Sequence, residues 1–194
     1  LAEVLTDIMM PIMNGIQLCK LIKQNLRTCH ILVIILSAKT DFKEQLEGLQ
    51  VGADDYIPKP FSLVMITTKI RNLFRTRHRA IEYYSKSLEI EPEKIALNPL
   101  DEDLLKKAVE IMEKHMDDAE FTTDEFAREM CMSRSNLHLK MKALTGESTN
   151  EFIRKVRFNY ACKLLKDGKY TVSEISSMVG YSLSKICVLA TSSS

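Results

Sequence analysis

The sequence predicts a doubly wound α/β part with a parallel sheet, followed by an all-α part that carries a repeated helix-turn-helix. Three observations support this. Over residues 1–78, apolar strand-like runs alternate with segments of helical spacing. A Thr-x-x-Glu helix start occurs twice, at Thr122–Glu125 and Thr171–Glu174, and each copy runs a short way into a tight turn. Between the two parts, Arg75 to Leu100 loses its periodicity and gathers charge and proline.

Bulk properties bound the answer. With 194 residues, a formal charge of +1 and 45% apolar residues, the chain suits one large or two small globular domains and is too apolar for a disordered tail. The longest apolar run, Ile31–Leu36, has the length of a buried strand and falls far short of a membrane span. No secretory leader is recognisable, and the opening at Leu1, already inside a strand-like run, reads as a fragment lacking its true N-terminus. Five cysteines form no Cys-x-x-Cys pair and four histidines show no ligand spacing. Reduced thiols in a cytoplasmic protein, with no zinc site, are the expectation.

The elements follow in order. Leu5-Thr6-Asp7 ends a strand on a carboxylate, and Pro11 and Gly15 shape the exit. Asn14 is placed to cap a helix whose apolar stripe is Ile16, Cys19, Ile22 and Leu26. Ile31–Leu36 is unbroken and branched, as strands covered on both faces are, and it ends at Ser37. Asp41 and Glu44 suit the start of a helix with Phe42, Leu46 and Leu49 inward. Gly52-Ala53-Asp54-Asp55 turns into the short strand Tyr56-Ile57, and Lys59-Pro60-Phe61 ends it. Ser62 then starts a helix with Leu63, Ile66, Ile70 and Phe74 on one face. Alternating strands and helices imply right-handed crossovers and a parallel sheet.

In such a sheet the chemistry collects at the C-terminal strand ends. Asp7, Ser37 and Lys59 stand at three of them. A phosphoryl group on Asp7 would find a hydroxyl donor in Ser37 and a neutralising ammonium in Lys59, with a divalent cation screening the remaining charge. A plain structural ion pair between Lys59 and Asp7 is the competing reading.

Asp7-x-Met-Met-Pro-x-Met-Asn-Gly, Leu36-Ser-Ala-Lys and Gly52-Ala-Asp-Asp-Tyr-Ile-Pro-Lys-Pro-Phe together resemble the receiver domain of two-component response regulators, over about residues 1–78. The resemblance implies that Asp7 is the phosphoacceptor and takes phosphate from a histidine kinase. It implies Mg²⁺ held in part by Asp7 and the Met9 carbonyl, a cis Lys59–Pro60 peptide, and Ser37 and Tyr56 as a switch pair. A haloacid-dehalogenase-type phosphatase also uses a strand-end Asp, but wants a second Asp where Met9 stands. Receivers carry an acidic pair on an earlier strand. Only six residues precede Asp7, so the fold class expected is a partial receiver with its first strands missing. This chain alone is then expected to take up phosphate poorly and to leave sheet edge exposed.

Residues 79–100 read as an extended linker, with Arg75, Arg77, His78 and Arg79 as a solvated basic face or a DNA-phosphate contact. In residues 101–194, Leu105, Ala108, Met112 and Met116 form one core stripe, and a long helix opens at Ser148-x-x-Glu151 with Ile153, Val156, Tyr160 and Leu164 inward. On the helix after Ser133, Leu137, Met141 and Leu144 face the core, while Arg134, Ser135, His138 and Lys142 face outward. Between Arg128 and Lys169 ten Lys or Arg stand against four Asp or Glu, a local patch suited to phosphate. A helical interaction module with a solvated basic face is the competing reading.

Met132-Ser-Arg-Ser-Asn-Leu-x-x-Lys-x-Lys-Ala-Leu-Thr-Gly, Asn150-Glu-Phe-Ile-Arg-x-x-Arg and Leu164-Leu-Lys-Asp-Gly-Lys-Tyr-Thr-Val-Ser-Glu-Ile resemble an AraC-type DNA-binding domain from about Asp101 to Ser182. That implies two helix-turn-helix units bridged by the long helix. Arg134, Ser135, Asn136, His138, Lys142 and Arg154 form the expected DNA-contacting set. Leu139 stands where close relatives usually carry Arg. Beyond Ser182 the match fails, so the second unit is expected to be truncated. The whole most resembles the C-terminal end of hybrid two-component sensors of gut Bacteroidetes. The function expected is a phosphorylation-controlled, sequence-specific transcription regulator, not an enzyme. Its partners would be double-stranded promoter DNA, a histidine kinase or kinase domain of the same parent chain, and a second copy in a homodimer, with no membrane contact. A non-functional gene remnant and a receiver-mediated interaction module are the alternatives.

Overall fold

The computed structural model describes residues 3–38, 50–87 and 89–181. The chain divides into two units, one of residues 1–85 with 93–103, the other of 86–92 with 104–194.

The first unit is built on a three-stranded parallel sheet, β1 (Glu3–Asp7), β2 (Leu32–Ser37) and β3 (Asp55–Pro58), in the order β1-β2-β3. The register sets Asp7 opposite Leu36 and Ser37 opposite Pro58, so the three strands end at one edge. As the central strand, β2 buries Leu32 through Ile35, which explains its unbroken branched run. Ile8, Ile16, Cys19, Val33, Ile35, Ala53 and Tyr56 form one core cluster. Helix α1 (Gly15–Gln24) opens on the expected Asn14 cap, whose Oδ1 accepts the Gln17 N–H at 2.7 Å while Gln17 Oε1 accepts the Asn14 N–H. Leu26, expected on the inward stripe, lies past the helix end and is exposed. The helix expected from Asp41, with Glu44, Phe42, Leu46 and Leu49, lies outside the described residues.

The Gly52-Ala53-Asp54-Asp55 turn does more than reverse the chain. Asp54 Oδ2 accepts from Lys23 Nζ at 2.6 Å and from the Val33 N–H at 2.7 Å, tying α1 and β2 to the start of β3. Lys23 is buried, and its ammonium also donates to the Ile31 carbonyl. Asp55 pairs with Lys69 at 2.6 Å.

Helix α2 (Leu63–Lys86) corrects two expectations. Leu63 is exposed, and Ile66, Ile70 and Phe74 are only half-buried. The buried side chains come later, at Arg77, Ala80 and Tyr84, which recur at helical spacing. The segment from residue 79, expected to be extended, is therefore helical through Lys86. It adds core residues, as does Ile95 in the short α3 (Pro92–Ile95). Arg77, expected on a solvated face, sits beside the first turn of α4 (Pro99–Lys114). Fully buried Asp101 accepts there from Asn98 Nδ2 at 2.8 Å and from the Cys29 thiol at 3.4 Å. Burial pushes the Arg77 guanidinium below its ordinary value, and the Asp101 and Asp54 carboxylates oppose that.

In the second unit Leu105, Ala108, Met112 and Met116 are buried as expected. Four helices follow: α5 (Thr123–Glu129), α6 (Arg134–Thr145), α7 (Thr149–Asp167) and α8 (Val172–Met178). Capping boxes start α5, α7 and α8 at Thr122/Glu125, Ser148/Glu151 and Thr171/Glu174. The cap N–H and hydroxyl hold each of the three glutamates below the usual carboxylate range. Phe126 stacks with Phe152 at 6.1 Å, and Ile153, Val156 and Leu164 point inward. Tyr160, expected inward, is 38% exposed.

Candidate functional site

The sheet edge assembles the first candidate site. Lys59 follows β3 directly, its backbone N–H donates to the Ser37 carbonyl at 2.6 Å, and its ammonium reaches Asp7 Oδ2 in an ion pair. The other carboxylate oxygen accepts the Met9 N–H at 3.3 Å. The Lys59 ammonium, more than the Met9 N–H, holds the Asp7 carboxyl below the usual carboxylate range, and partial burial works against both. The Lys59–Pro60 peptide is cis. Ser37 is buried at the end of β2. Tyr56 is buried too, its hydroxyl without a hydrogen-bond partner among the described residues. Asp7, Ser37 and Lys59 thus meet at one edge, with Tyr56 in the core beside it and Met9 exposed above it.

This arrangement supports the ion-pair reading as directly as the phosphoryl one, since both need Lys59 on Asp7. A Lys59→Met exchange is expected to raise the Asp7 pKa toward its unfolded value of about 3.9. The depressed carboxyl contributes stability above about pH 3.9, lost as pH falls through the folded pKa, and the exchange removes that contribution. A carboxyl titration followed by NMR would detect the shift. An unchanged Asp7 pKa would show that Lys59 does not set it.

Mg²⁺ asks for an octahedral oxygen shell with waters and one or two carboxylates. Among the described residues no cluster of three or more His, Cys, Asp or Glu could hold a metal, and both oxygens of Asp7 already accept hydrogen bonds. Asp7 is the carboxylate at this edge that could join waters around Mg²⁺, the ion a receiver domain typically binds.

The second candidate site is α6. Ser133 caps it and Gly146 ends it in a left-handed conformation. Leu137, Met141 and Leu144 are fully buried, as the spacing predicts, while Arg134, Ser135, His138 and Lys142 are exposed and Asn136 is half-buried. Arg134 contacts Asp124 at 3.2 Å across open surface. Such a pair is worth little and leaves the guanidinium available. Arg154 is exposed on α7. The basic patch is smaller than its sequence count. Lys140 and Arg157 are buried, Arg157 donating to the Asp118 and His115 carbonyls, and Lys155 pairs with Glu147 at 3.7 Å.

The two Thr-x-x-Glu copies fold alike to the last described residue. Met132 N–H donates to the Ala127 carbonyl at 2.9 Å, and Tyr181 N–H to that of Ser176 at 3.0 Å. Each turn carries one residue of positive φ, Cys131 in the first and Gly180 in the second. A Cβ at Gly180 would stand 3.1 Å from the Met116 carbonyl oxygen, so close approach also calls for glycine there. The second reading helix, from Ser182, lies outside the described residues.

Residues 3–71 match the response regulator receiver domain family, and residues 126–185 match a helix-turn-helix domain family. This chain joins a response regulator receiver domain to an AraC-type helix-turn-helix domain. The receiver and helix-turn-helix domains are of non-enzymatic kinds. Histidine kinase P4 of Formosa agariphila is 38% identical to this chain over 178 residues, covering 92% of this chain and 13% of that protein. Response regulator ArlR of Staphylococcus saprophyticus is 42% identical over 72 residues, covering 37% of this chain and 31% of that one. The chain thus spans less than a third of either relative. The receiver domain of Francisella response regulator 1452 is 40% identical over 38% of this chain and 59% of its own, with a TM-score of 0.34. A helix-turn-helix domain implies DNA binding. No helix among the described residues is long and apolar enough to cross a membrane.

Proposed function

We propose that this response regulator reads promoter DNA in sequence-specific fashion through α6, and that a phosphoryl group on Asp7 controls that binding. In this reading residues 1–78 are the receiver, 79–100 the linker and 101–194 the DNA-binding domain. The phosphoryl donor is a histidine kinase, or a kinase domain of the same parent chain in the cytoplasm, and phosphorylation favours a homodimer on DNA. Lys59 neutralises the phosphoryl oxygens, Ser37 donates to one of them, and Tyr56 follows the hydroxyl. The finding that Histidine kinase P4 is similar along most of this chain supports the kinase link.

The outward face of α6 carries the reading. Arg134, Ser135, His138 and Lys142 share one exposed face within a helix held by a buried apolar stripe, and the first residues of such a helix are those that reach base edges. The test is selection of duplex DNA from a random pool by the 194-residue chain, with fluorescence anisotropy of the selected duplex at two salt concentrations. A short enriched motif, lost in Arg134→Ala, is the expected result. Salt-sensitive binding with no motif would leave phosphate contact alone. No binding would overturn the proposal in favour of an interaction module or a gene remnant.

A further inference from the structure

Leu139 interrupts an otherwise polar surface. It lies within the first two turns of α6 and is 62% exposed, although Leu137, Met141 and Leu144 on the same helix are fully buried and already fill its core face. Arg134, Ser135 and His138 line the same concave surface with it, at the start of α7 beside Asn150. Ser135, His138, Leu139 and Lys142 follow the spacing of one helical face, so Leu139 stands among the groups assigned above to DNA. Packing among the described residues does not account for a large apolar side chain here.

Resting on the DNA-reading function proposed above, we infer that Leu139 is a specificity-determining residue that contacts the C5-methyl group of a thymine in the major groove. The chemistry follows from what each base presents there. Thymine offers the one apolar group in the groove, the methyl, and apolar side chains recognise it by contact where polar side chains form hydrogen bonds. Leu139 cannot donate or accept, so a cytosine amine or a guanine carbonyl placed against it would be stripped of water with nothing in return. Its neighbours can supply the hydrogen bonds to flanking positions: Arg134 as a donor, His138 and Ser135 as either. Leu139 therefore selects one thymine inside a motif that the polar residues frame.

The probe is the duplex selected by the wild-type chain, with each thymine replaced singly by deoxyuridine, which removes the methyl and leaves every hydrogen-bonding group. At one position the exchange is expected to weaken wild-type binding about 4-fold, the effect of withdrawing one methyl group from apolar contact. Leu139→Ala, an exposed exchange that leaves the core stripe intact, should bind with the same affinity whether thymine or deoxyuridine stands there. Leu139→Arg should shift selection at that position toward guanine. Two results would overturn the inference while leaving the DNA-reading function standing: a motif insensitive to every deoxyuridine, or Leu139→Ala retaining the wild-type methyl dependence. Failure to select any motif would overturn both together.

Discussion

Replacing Asp101 by alanine is expected to destabilise the first unit by about 3–5 kcal/mol, the usual cost of stranding one member of a buried charged pair. Asp101 is fully buried and shares its surroundings with Arg77, itself only 1% exposed. Its carboxylate accepts from Asn98 Nδ2 and from the Cys29 thiol, and its own N–H donates to Asn98 Oδ1 at 2.9 Å. Asn98 Nδ2 also reaches the Cys29 carbonyl at 3.3 Å. Deleting the carboxylate leaves a guanidinium without its main counter-charge and takes from the Asn98 amide and the Cys29 thiol the shorter of their two acceptor contacts, costly losses in a dry interior. Urea denaturation followed by a probe on the sheet unit would read the fall in midpoint. The double exchange Arg77→Met with Asp101→Leu should cost clearly less than the sum of the single exchanges, because it removes both charges together. A loss below about 1 kcal/mol for Asp101→Ala, against the range usual for such sites, would show that the cluster does not hold the first turn of α4.

The second large effect is expected at Gly15. Its conformation is ordinary, and close approach is what demands glycine. A Cβ there would fall inside van der Waals contact of the Asp7 carbonyl oxygen, 2.9 Å from the Asp7 carbonyl carbon and 3.1 Å from Thr6 Oγ1. Neither side gives easily. Asp7 is held in register against Leu36, and the Gly15 N–H donates to the Ile8 carbonyl at 3.2 Å. Gly15→Ala is therefore expected to cost about 1–3 kcal/mol, as overpacking of a tight core does. It should also displace the Asp7 backbone, weakening the Lys59 contact and raising the Asp7 carboxyl pKa toward the ordinary value. Denaturation and the Asp7 titration measure the two effects separately. Wild-type behaviour in both would show that the loop gives way without disturbing the site.

Asp7, Ser37 and Lys59 were legible because in a parallel sheet the chemistry collects at one edge, and a residue that ends an apolar run must lie there. Leu137, Met141 and Leu144 were legible from helical spacing, and the Thr122/Glu125, Ser148/Glu151 and Thr171/Glu174 capping boxes from their Ser/Thr-x-x-Glu pattern. Arg77, Lys140 and Lys23 were not. A charged residue in a charged run reads as solvated unless its partner is known, and the partners here lie far along the chain: Asp101 for Arg77, Asp54 for Lys23. The one available signal for Arg77 was its place on the face shared with Ala80 and Tyr84, and charge outweighed it. Leu63 and Tyr160 failed the other way, since periodicity names a face but not how far along a helix a neighbour covers it.

By itself, then, the sequence determined the order of the described strands and helices, the helix starts, the strand-end positions of Asp7, Ser37 and Lys59, and the outward face of α6. Those features depend on neighbours within a few positions, through cap hydrogen bonds, turn residues and the periods of strand and helix. Only the tertiary structure decided which charges are buried, where α2 finds its core, and that Gly15 is pressed against the Asp7 carbonyl. Burial and close approach depend on residues brought together from distant parts of the chain, and local pattern carries no record of them.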